Sequence, residues 1–513
     1  MSTLTEARPM PVVAEADPRR WTAVIALARF EARELLLQIP VFAMCLFYVG
    51  YSGWQLFSGR EGMDDYPVLQ DVDRATQTLP MLPAVAVLIC VNLAVLRSRR
   101  YHTDGQLDVL PMEPWRRTLA HALSVVPFAM FTALVVALRF GWAALGQDAV
   151  GHGSVAELAV GPLTVLLAGV AGVLIARLIP SVPLAGLAVA GGYVLLTVAE
   201  SSAGDPRWMR WLWPVVSENG SVPLPSDLLG RPAAWHALYL AGLVTLVLCL
   251  AVLVSGGRAL LVKAVAFGAA ALTLTGAVAQ SAGDSSALVA ARVRASATPE
   301  KDQTCVRHGR STYCAFPEWA GRTADWAETV RRAQSLAGGA AGGARLTVRQ
   351  RVEARYGLGT DAAIDPSRTP GEVTVDTRWG GNRVSEFAVG VASVLVAGDE
   401  RTAGEMCDAR TVMVMWLALG NDPDPMGSLS ELRLDDSVSG SAIVRSPTDP
   451  LAMTAQQTTV VRELLQRPRY SVIPKVKANW TELTSPKTST ARAAKLLDVP
   501  LPEGEKGEDE CGV

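Results

Sequence analysis

Between positions 39 and 279 the chain repeatedly drops its polar residues for about twenty positions at a time. The runs are Ile39–Phe57, Leu79–Leu96, His121–Leu145, Leu158–Ile179, Val182–Ala199, Ala233–Val254 and Ala264–Ala279. A helix that crosses a bilayer needs about 20 mostly apolar residues, because lipid offers no partner to a stray backbone polar group. The pattern therefore predicts about six to seven transmembrane helices. The fourth and fifth are joined only by the turn from Pro180 to Pro183 and should form a tight helical hairpin. The seventh, rich in Ala, Gly and Thr, is the shortest, and it decides on which side of the membrane everything after it lies.

Past residue 280 the pattern changes. Helical periodicity marks Ala315–Leu336, Asn382–Ala397, Glu400–Leu419, Met453–Gln466 and Tyr470–Leu483. Period-two alternation in Arg345–Tyr356 and Glu372–Trp379 adds a small sheet. The glycine-rich stretch Leu336–Gly343 reads as a hinge, and the EGEKGEDE end as an acidic disordered terminus. Charge follows the same division: 38 of the first 280 residues are Asp, Glu, Lys or Arg, against 58 of the remaining 233. The expected fold class is an α-helical polytopic membrane bundle followed by a mainly α (α+β) soluble C-terminal domain. The parts are a flexible cytoplasmic tail (1–20), the membrane domain (21–280), an extracytoplasmic domain (281–500) and the acidic end (501–513).

Lys and Arg set the orientation. With the N-terminus in the cytoplasm, thirteen of the first nineteen basic residues fall on the inner side and six on the outer. Seven spans then place residues 281–513 outside a plasma membrane. Cysteine usage bears on this independently. Cys45, Cys90 and Cys249 lie in apolar runs, where a thiol behaves as a small hydrophobe. Cys305 and Cys314 bracket a polar loop and read as a local disulfide, which requires an oxidising compartment. Cys407, within an apolar run, reads as core rather than as a partner for Cys511.

Candidate chemistry is sparse. A net charge of −2 argues against a nucleic-acid binder. His308 is the one histidine after residue 280, which excludes HExxH and leaves a single candidate for a triad; a solvated loop residue is the simpler reading. Asp422 and Asp424 lack the ligand series of a calcium loop. No catalytic, cofactor or metal residues are therefore expected, and no enzyme. Arg139, Arg177, Asn92 and His121 lie near span ends and read as snorkelling or structural groups. Trp208, Trp211 and Trp213 read as an interfacial belt, with an exterior gate as the alternative.

Two segments stand out. Residues 21–38 form an amphipathic helix with Trp21, Val24, Ile25, Ala28, Leu35 and Leu36 on its apolar side and Arg29, Glu31, Arg33 and Glu34 on other faces. It is either an interfacial elbow or a topogenic flank. The second, Arg97–Leu119, has three arginines in four residues, then Asp104-Gly105, Leu107, Asp108, Leu110 and Pro111, then Arg116-Arg117. It is either a solvated topogenic loop or a compact element with an apolar face suited to a groove on a soluble partner.

The RFEAREL helix, the R-x-R-R-x-x-x-D-G-x-L-D-x-L-P loop and the R-R-T-L-A-H entry to the third span together resemble the permease subunits of ABC-2-type exporters, particularly actinobacterial ones. The resemblance covers roughly residues 20–280; the family core has six spans and no such tail. It implies that the 97–118 loop couples to a separate ABC ATPase subunit, with Asp104, Leu107, Asp108, Leu110 and Pro111 as the docking surface. It also implies a homodimer or a pairing with a paralogous permease in the lipid bilayer. No G-x-x-x-x-G-K-[ST] occurs, so ATP would be bound by the partner. The alternative is a membrane-anchored extracytoplasmic binding or assembly protein without transport activity.

Overall fold

A computed structural model describes residues 18–58, 65–102, 112–146, 148–179, 181, 183, 186–189, 191–192, 207–216, 222–359, 363–434 and 440–500. The chain is mostly helical. Helix α1 (Pro18–Leu36) precedes α2 (Ile39–Phe57), a short α3 (Leu69–Ala75), α4 (Met81–Val95) and the single turn α5 (Arg97–Arg100). Then come α6 (Pro114–Leu123), α7 (Val126–Ala144), α8 (Val155–Leu178), the short α9 (Arg207–Trp211), α10 (Ala233–Val254) and α11 (Leu260–Ser281).

Among the described residues, five helical stretches are long and apolar enough to cross a membrane: Ile39–Phe57, Pro114–Ala144, Val155–Leu178, Ala233–Val254 and Leu260–Ala297. Met81–Val95 is apolar but shorter. The run Val182–Ala199 lies largely outside the described residues. The segment expected to be the shortest span is a full 22-residue helix, α11. Helix α2 buries only Val41, Cys45, Tyr48 and Ser52, and α11 only Ala269, Gly276 and Gln280. Their remaining faces carry Phe42, Trp54, Phe267 and Val278 in the open, an arrangement that water would penalise and lipid accepts. This is a membrane protein.

Helix α8 is the centre of the bundle, flanked by α4, α7 and α10. Lipid tails are as apolar as Leu, so helices in a membrane associate by close packing, and glycines permit the closest approach. A Cβ on Gly172 of α8 would meet the backbone oxygen of Leu88 in α4 at 2.4 Å, and one on Gly276 of α11 would meet the Tyr239 backbone nitrogen of α10 at 2.7 Å. Beside the first contact, Asn92 donates from Nδ2 to the Gly172 carbonyl at 3.2 Å. Arg139 does not snorkel as its sequence position suggests. It is buried, and its Nη1 donates to the Ala75 carbonyl at 3.3 Å.

After α12 (Ser286–Ala297) the chain makes a four-stranded sheet in the order β1 (Thr304–His308), β2 (Ser311–Ala315), β3 (Thr347–Gln350), β4 (Glu372–Val375). The first pair is antiparallel and the other two are parallel. The polar loop between Cys305 and Cys314 is thus a hairpin, in which the two cysteines are cross-strand partners and are joined by a disulfide. Helices α13 (Thr323–Leu336), α14 (Asn382–Ala397), α15 (Glu400–Gly404) and α16 (Arg410–Leu419) follow, and α16 is buried almost from end to end.

Several sequence expectations need correction here. The predicted 400–419 helix is broken, and exposed Cys407 lies in the break. It is disulfide-bonded rather than a core thiol. The 336–343 stretch contains a 3-10 segment, Gly339–Gly343, and Gly338 sits against Trp480, where a Cβ would come within 2.7 Å of the side chain. Trp211 is fully buried rather than interfacial, with the Arg231 guanidinium 5.0 Å over its ring.

The largest apolar core does not respect the expected boundary at 281. Tyr66 and Val68 (before α3), Val150 (before α8) and Leu224 and Leu228 (before α10) belong to the same cluster as Trp319, Trp326 and Trp416. All three of those connections lie at one end of the bundle, opposite the end that holds Arg97–Arg100. The C-terminal residues are seated on that end.

Replacing Gly172 by Ala should lower the melting temperature of the detergent-solubilised chain, since overpacking a close contact costs about 1–3 kcal/mol. Gly268, on the open face of α11, has nothing within 4 Å of the place a methyl group would take, so Gly268→Ala should leave the melting temperature unchanged or slightly higher.

Candidate coupling site

The arginine-rich end is organised by α1. Its buried positions, Val24, Ala28, Glu31 and Leu35, recur every three or four residues and so share one helical stripe. Val24 and Ala28 pack against Ala120 of α6. Trp21 meets Trp115 edge-on at 6.5 Å, and the Arg116 guanidinium lies 5.1 Å over the Trp115 ring. Pro114 opens α6 at a position where a missing N–H costs nothing.

Glu31 is on this buried stripe, not on a solvent face as the apolar pattern alone suggests. Its Oε2 is 3.5 Å from Arg97 Nη2 and 4.0 Å from His121 Nδ1. One carboxylate on α1 thus faces both roots of the 97–118 connection. Burial pushes the Glu31 pKa up, while Arg97 pulls it down and Glu34 adds a smaller upward push. A further tie holds α6 from the other side: Thr118 donates to Ser255 Oγ at 2.7 Å, and Ser255 donates to the Ala251 carbonyl of α10 at 2.8 Å. The stem of the loop is therefore braced by α1 and α10. His102, just before the tip, has a left-handed backbone (φ 55°), uncommon for a residue with a Cβ. The predicted docking residues Asp104, Leu107, Asp108, Leu110 and Pro111 lie outside the described residues.

The opposite end holds a second polar cluster, which the pattern of apolar runs does not reveal. Arg231 Nε donates to Glu157 Oε1 at 2.7 Å, with both side chains almost fully buried. Gln77 donates to the other Glu157 oxygen. Asp73 Oδ2 accepts from the Ser154 backbone N–H at 2.7 Å, just ahead of α8. His236 contacts Gln280 at 3.0 Å and the Pro214 carbonyl at 3.2 Å, joining α10 to α11. Glu157 and Arg231 stand immediately outside the runs starting at Leu158 and Ala233, so a search bounded by hydropathy stops one or two residues short of both.

Above this cluster, a cavity of about 370 Å³ lies on the seam with the C-terminal residues. Its walls include Asp65, Tyr66 and Asp148 on one side and Asp325, Glu328 and Trp379 on the other. His308 is not a free loop residue: its Nε2 contacts Thr323 Oγ1 at 3.0 Å. Among the described residues, no group of three or more His, Cys, Asp or Glu side chains is arranged to hold a metal ion.

Compared with protein-family models, curated proteins and solved structures, the chain matches none.

Asp73 generates a pH dependence. Burial raises its pKa from 3.8 to about 7, with Glu157 adding to the rise and the Ser154 N–H and Arg74 opposing it. The folded chain keeps the proton up to about pH 7, whereas an unfolded aspartate releases it near 3.9. Between those values the native state binds more protons, so this residue makes stability fall as pH rises, by at most about 1.4 kcal/mol per pH unit. Asp73→Asn should flatten that part of the stability profile between pH 4 and 7, measured by thermal unfolding in detergent.

Proposed function

We propose that this chain is the membrane permease subunit of an ATP-driven, ABC-2-type exporter, coupled to a separate ATPase through the 97–118 loop. The observation that carries the reading is the braced stem: one buried carboxylate, Glu31, faces Arg97 and His121, while Thr118 ties the same segment to Ser255. A topogenic loop needs only its positive charges. A loop that receives a push from a partner also needs roots that pass the push on to the bundle, and these roots are fixed to α1 and α10.

On this reading the arginine-rich end and the N-terminus are cytoplasmic, and the C-terminal residues lie outside a plasma membrane. The thirteen-to-six bias of basic residues supports that orientation. So does the thiol pattern: Cys45, Cys90 and Cys249 are free and buried, whereas Cys305, Cys314 and Cys407 are all oxidised. ATP belongs to the partner subunit, and the thinly covered faces of α2 and α11 are available to lipid and to a second copy or a paralogue. A second reading, a membrane-anchored extracytoplasmic binding or assembly protein, draws on the seam cavity and its acidic walls.

The test is cross-linking in native membranes. Cysteines introduced at Leu107 or Leu110 should capture a nucleotide-hydrolysing subunit, and Glu31→Lys, which sets a second cation beside Arg97, should cut the yield several-fold. Recovery of no nucleotide hydrolase, or modification of these cysteines from outside intact cells, would overturn the reading. Loss of phenotype on deleting 290–513 with ATPase capture unchanged would favour the second.

A further inference from the structure

The seam between the C-terminal residues and the bundle converges on one side chain. Glu318 sits in a short 3-10 segment, Pro317–Arg322, immediately after β2. Its Oε2 accepts from Gln70 Nε2 at 3.1 Å, and Gln70 belongs to α3, between α2 and α4. Its Oε1 accepts from the Ser226 backbone N–H at 3.2 Å, in the connection before α10. The same oxygen lies 3.7 Å from His152 Nδ1, in the connection between α7 and α8. One carboxylate thus hydrogen-bonds two of the connections at that end of the bundle and lies beside a third.

Its neighbours repeat the pattern. Arg322 pairs with Asp148 in the α7–α8 connection. Trp326 donates from Nε1 to the Tyr66 hydroxyl at 3.2 Å, and Tyr66 stacks on Trp379 with ring centroids 6.2 Å apart. Thr377 donates to the Pro223 carbonyl at 2.7 Å. Directly beneath lies the buried polar cluster. Asp73 is one helical turn beyond Gln70, and its hydrogen-bond donor, Ser154, is two residues from His152. Gln70 also donates to the Leu224 carbonyl at 3.1 Å, closing the ring of loops around Glu318.

We propose that residues 317–326 are a latch, with Glu318 as its keystone, that holds the C-terminal residues as a lid over the Asp73–Glu157–Arg231 cluster. The three connections leave different pairs of helices and have no covalent reason to move together. Val68 and Val150 bridge two of them backbone to backbone, Gln70 reaches the third through the Leu224 carbonyl, and Glu318 fastens this ring of loops to the C-terminal residues. Losing Glu318 leaves the buried Gln70 amide and the Ser226 N–H without that acceptor at once, and a buried donor left without its acceptor costs more than a surface contact returns; the exposed His152 ring can turn to water instead. Release of the latch admits water to a cluster that is otherwise buried. The inference goes beyond the transport reading and does not depend on it, since a lid over a polar cluster is a property of this chain alone.

Hydrogen exchange on the full-length chain in lipid nanodiscs tests the latch. Glu318→Ala should accelerate exchange about tenfold or more in all three segments, 66–76, 148–154 and 222–229, while Asp302→Ala, which removes an exposed pair with Arg294, should change none of them. In a Gln77→Cys background, Glu318→Ala should speed modification by a charged maleimide by at least tenfold. Should Glu318→Ala fail to fold, the milder Gln70→Ala and Arg322→Ala take its place: Gln70→Ala should still raise exchange in 222–229, and Arg322→Ala should raise it in 66–76 as well as in 148–154. Acceleration confined to one of the three connections or to the Ser226 amide, no acceleration, or equally fast maleimide reaction with Glu318 intact would overturn the proposal.

Discussion

A carboxylate taken out of water has to be matched by a cation or by hydrogen-bond donors, or it gives up its charge. Both ends of this bundle are arranged around that constraint. At one end Glu31 draws Arg97 and His121 towards α1; at the other Glu157 draws Arg231 and Gln77 against α8. The apolar middles of the helices can slide and rotate against lipid at small cost. The charged ends cannot, because moving the cation leaves a buried carboxylate, Glu31 or Glu157, without its match. Register and helix neighbours are therefore fixed at the ends and by the glycine contacts at Gly172 and Gly276.

The apolar runs are legible because lipid imposes a length and a composition that few soluble segments satisfy. Ala233–Val254 has the same limits in sequence and structure, and so does the Asn382–Ala397 helix beyond the membrane part. Glu157 and Arg231 escape the same criterion, because a hydropathy search ends where charge begins and these residues flank the runs. Glu31 is misplaced by sequence for a related reason: on an amphipathic helix a carboxylate scores as solvent-facing, and only its spacing from Val24, Ala28 and Leu35 places it inside. Positions 24, 28, 31 and 35 carry that signal in the sequence, once charge is not taken as a synonym for exposure.

Beyond residue 281 the illegible features are those of tertiary origin. No local pattern assigns Tyr66, Val68, Val150, Leu224 and Leu228 to the same core as Trp416, since they come from three connections far apart in the chain. The break before α16 is hidden by composition: MCDARTVMVMWLAL reads as one apolar helix, yet the Asp408 side chain pairs with Arg410 and accepts its backbone N–H, a side-chain acceptor that begins a new helix at Arg410 with Cys407 exposed ahead of it.

Helix α10 connects the two polar ends. It starts just after Arg231, carries His236 beside Gln280, and finishes at Ser255, which accepts from Thr118 in the stem of the 97–118 connection. At about 1.5 Å per residue its 22 residues span about 33 Å, comparable to the hydrocarbon thickness. A regular α-helix of that length without an internal proline transmits axial and tilting displacements rather than absorbing them, and α10 has none. Any motion that shifts Thr118 must then either break its bond to Ser255 or reach Arg231, and with it the cluster that Glu318 and the C-terminal residues cover. The stem and the seam are thus mechanically in series through one rod, although they share no residue.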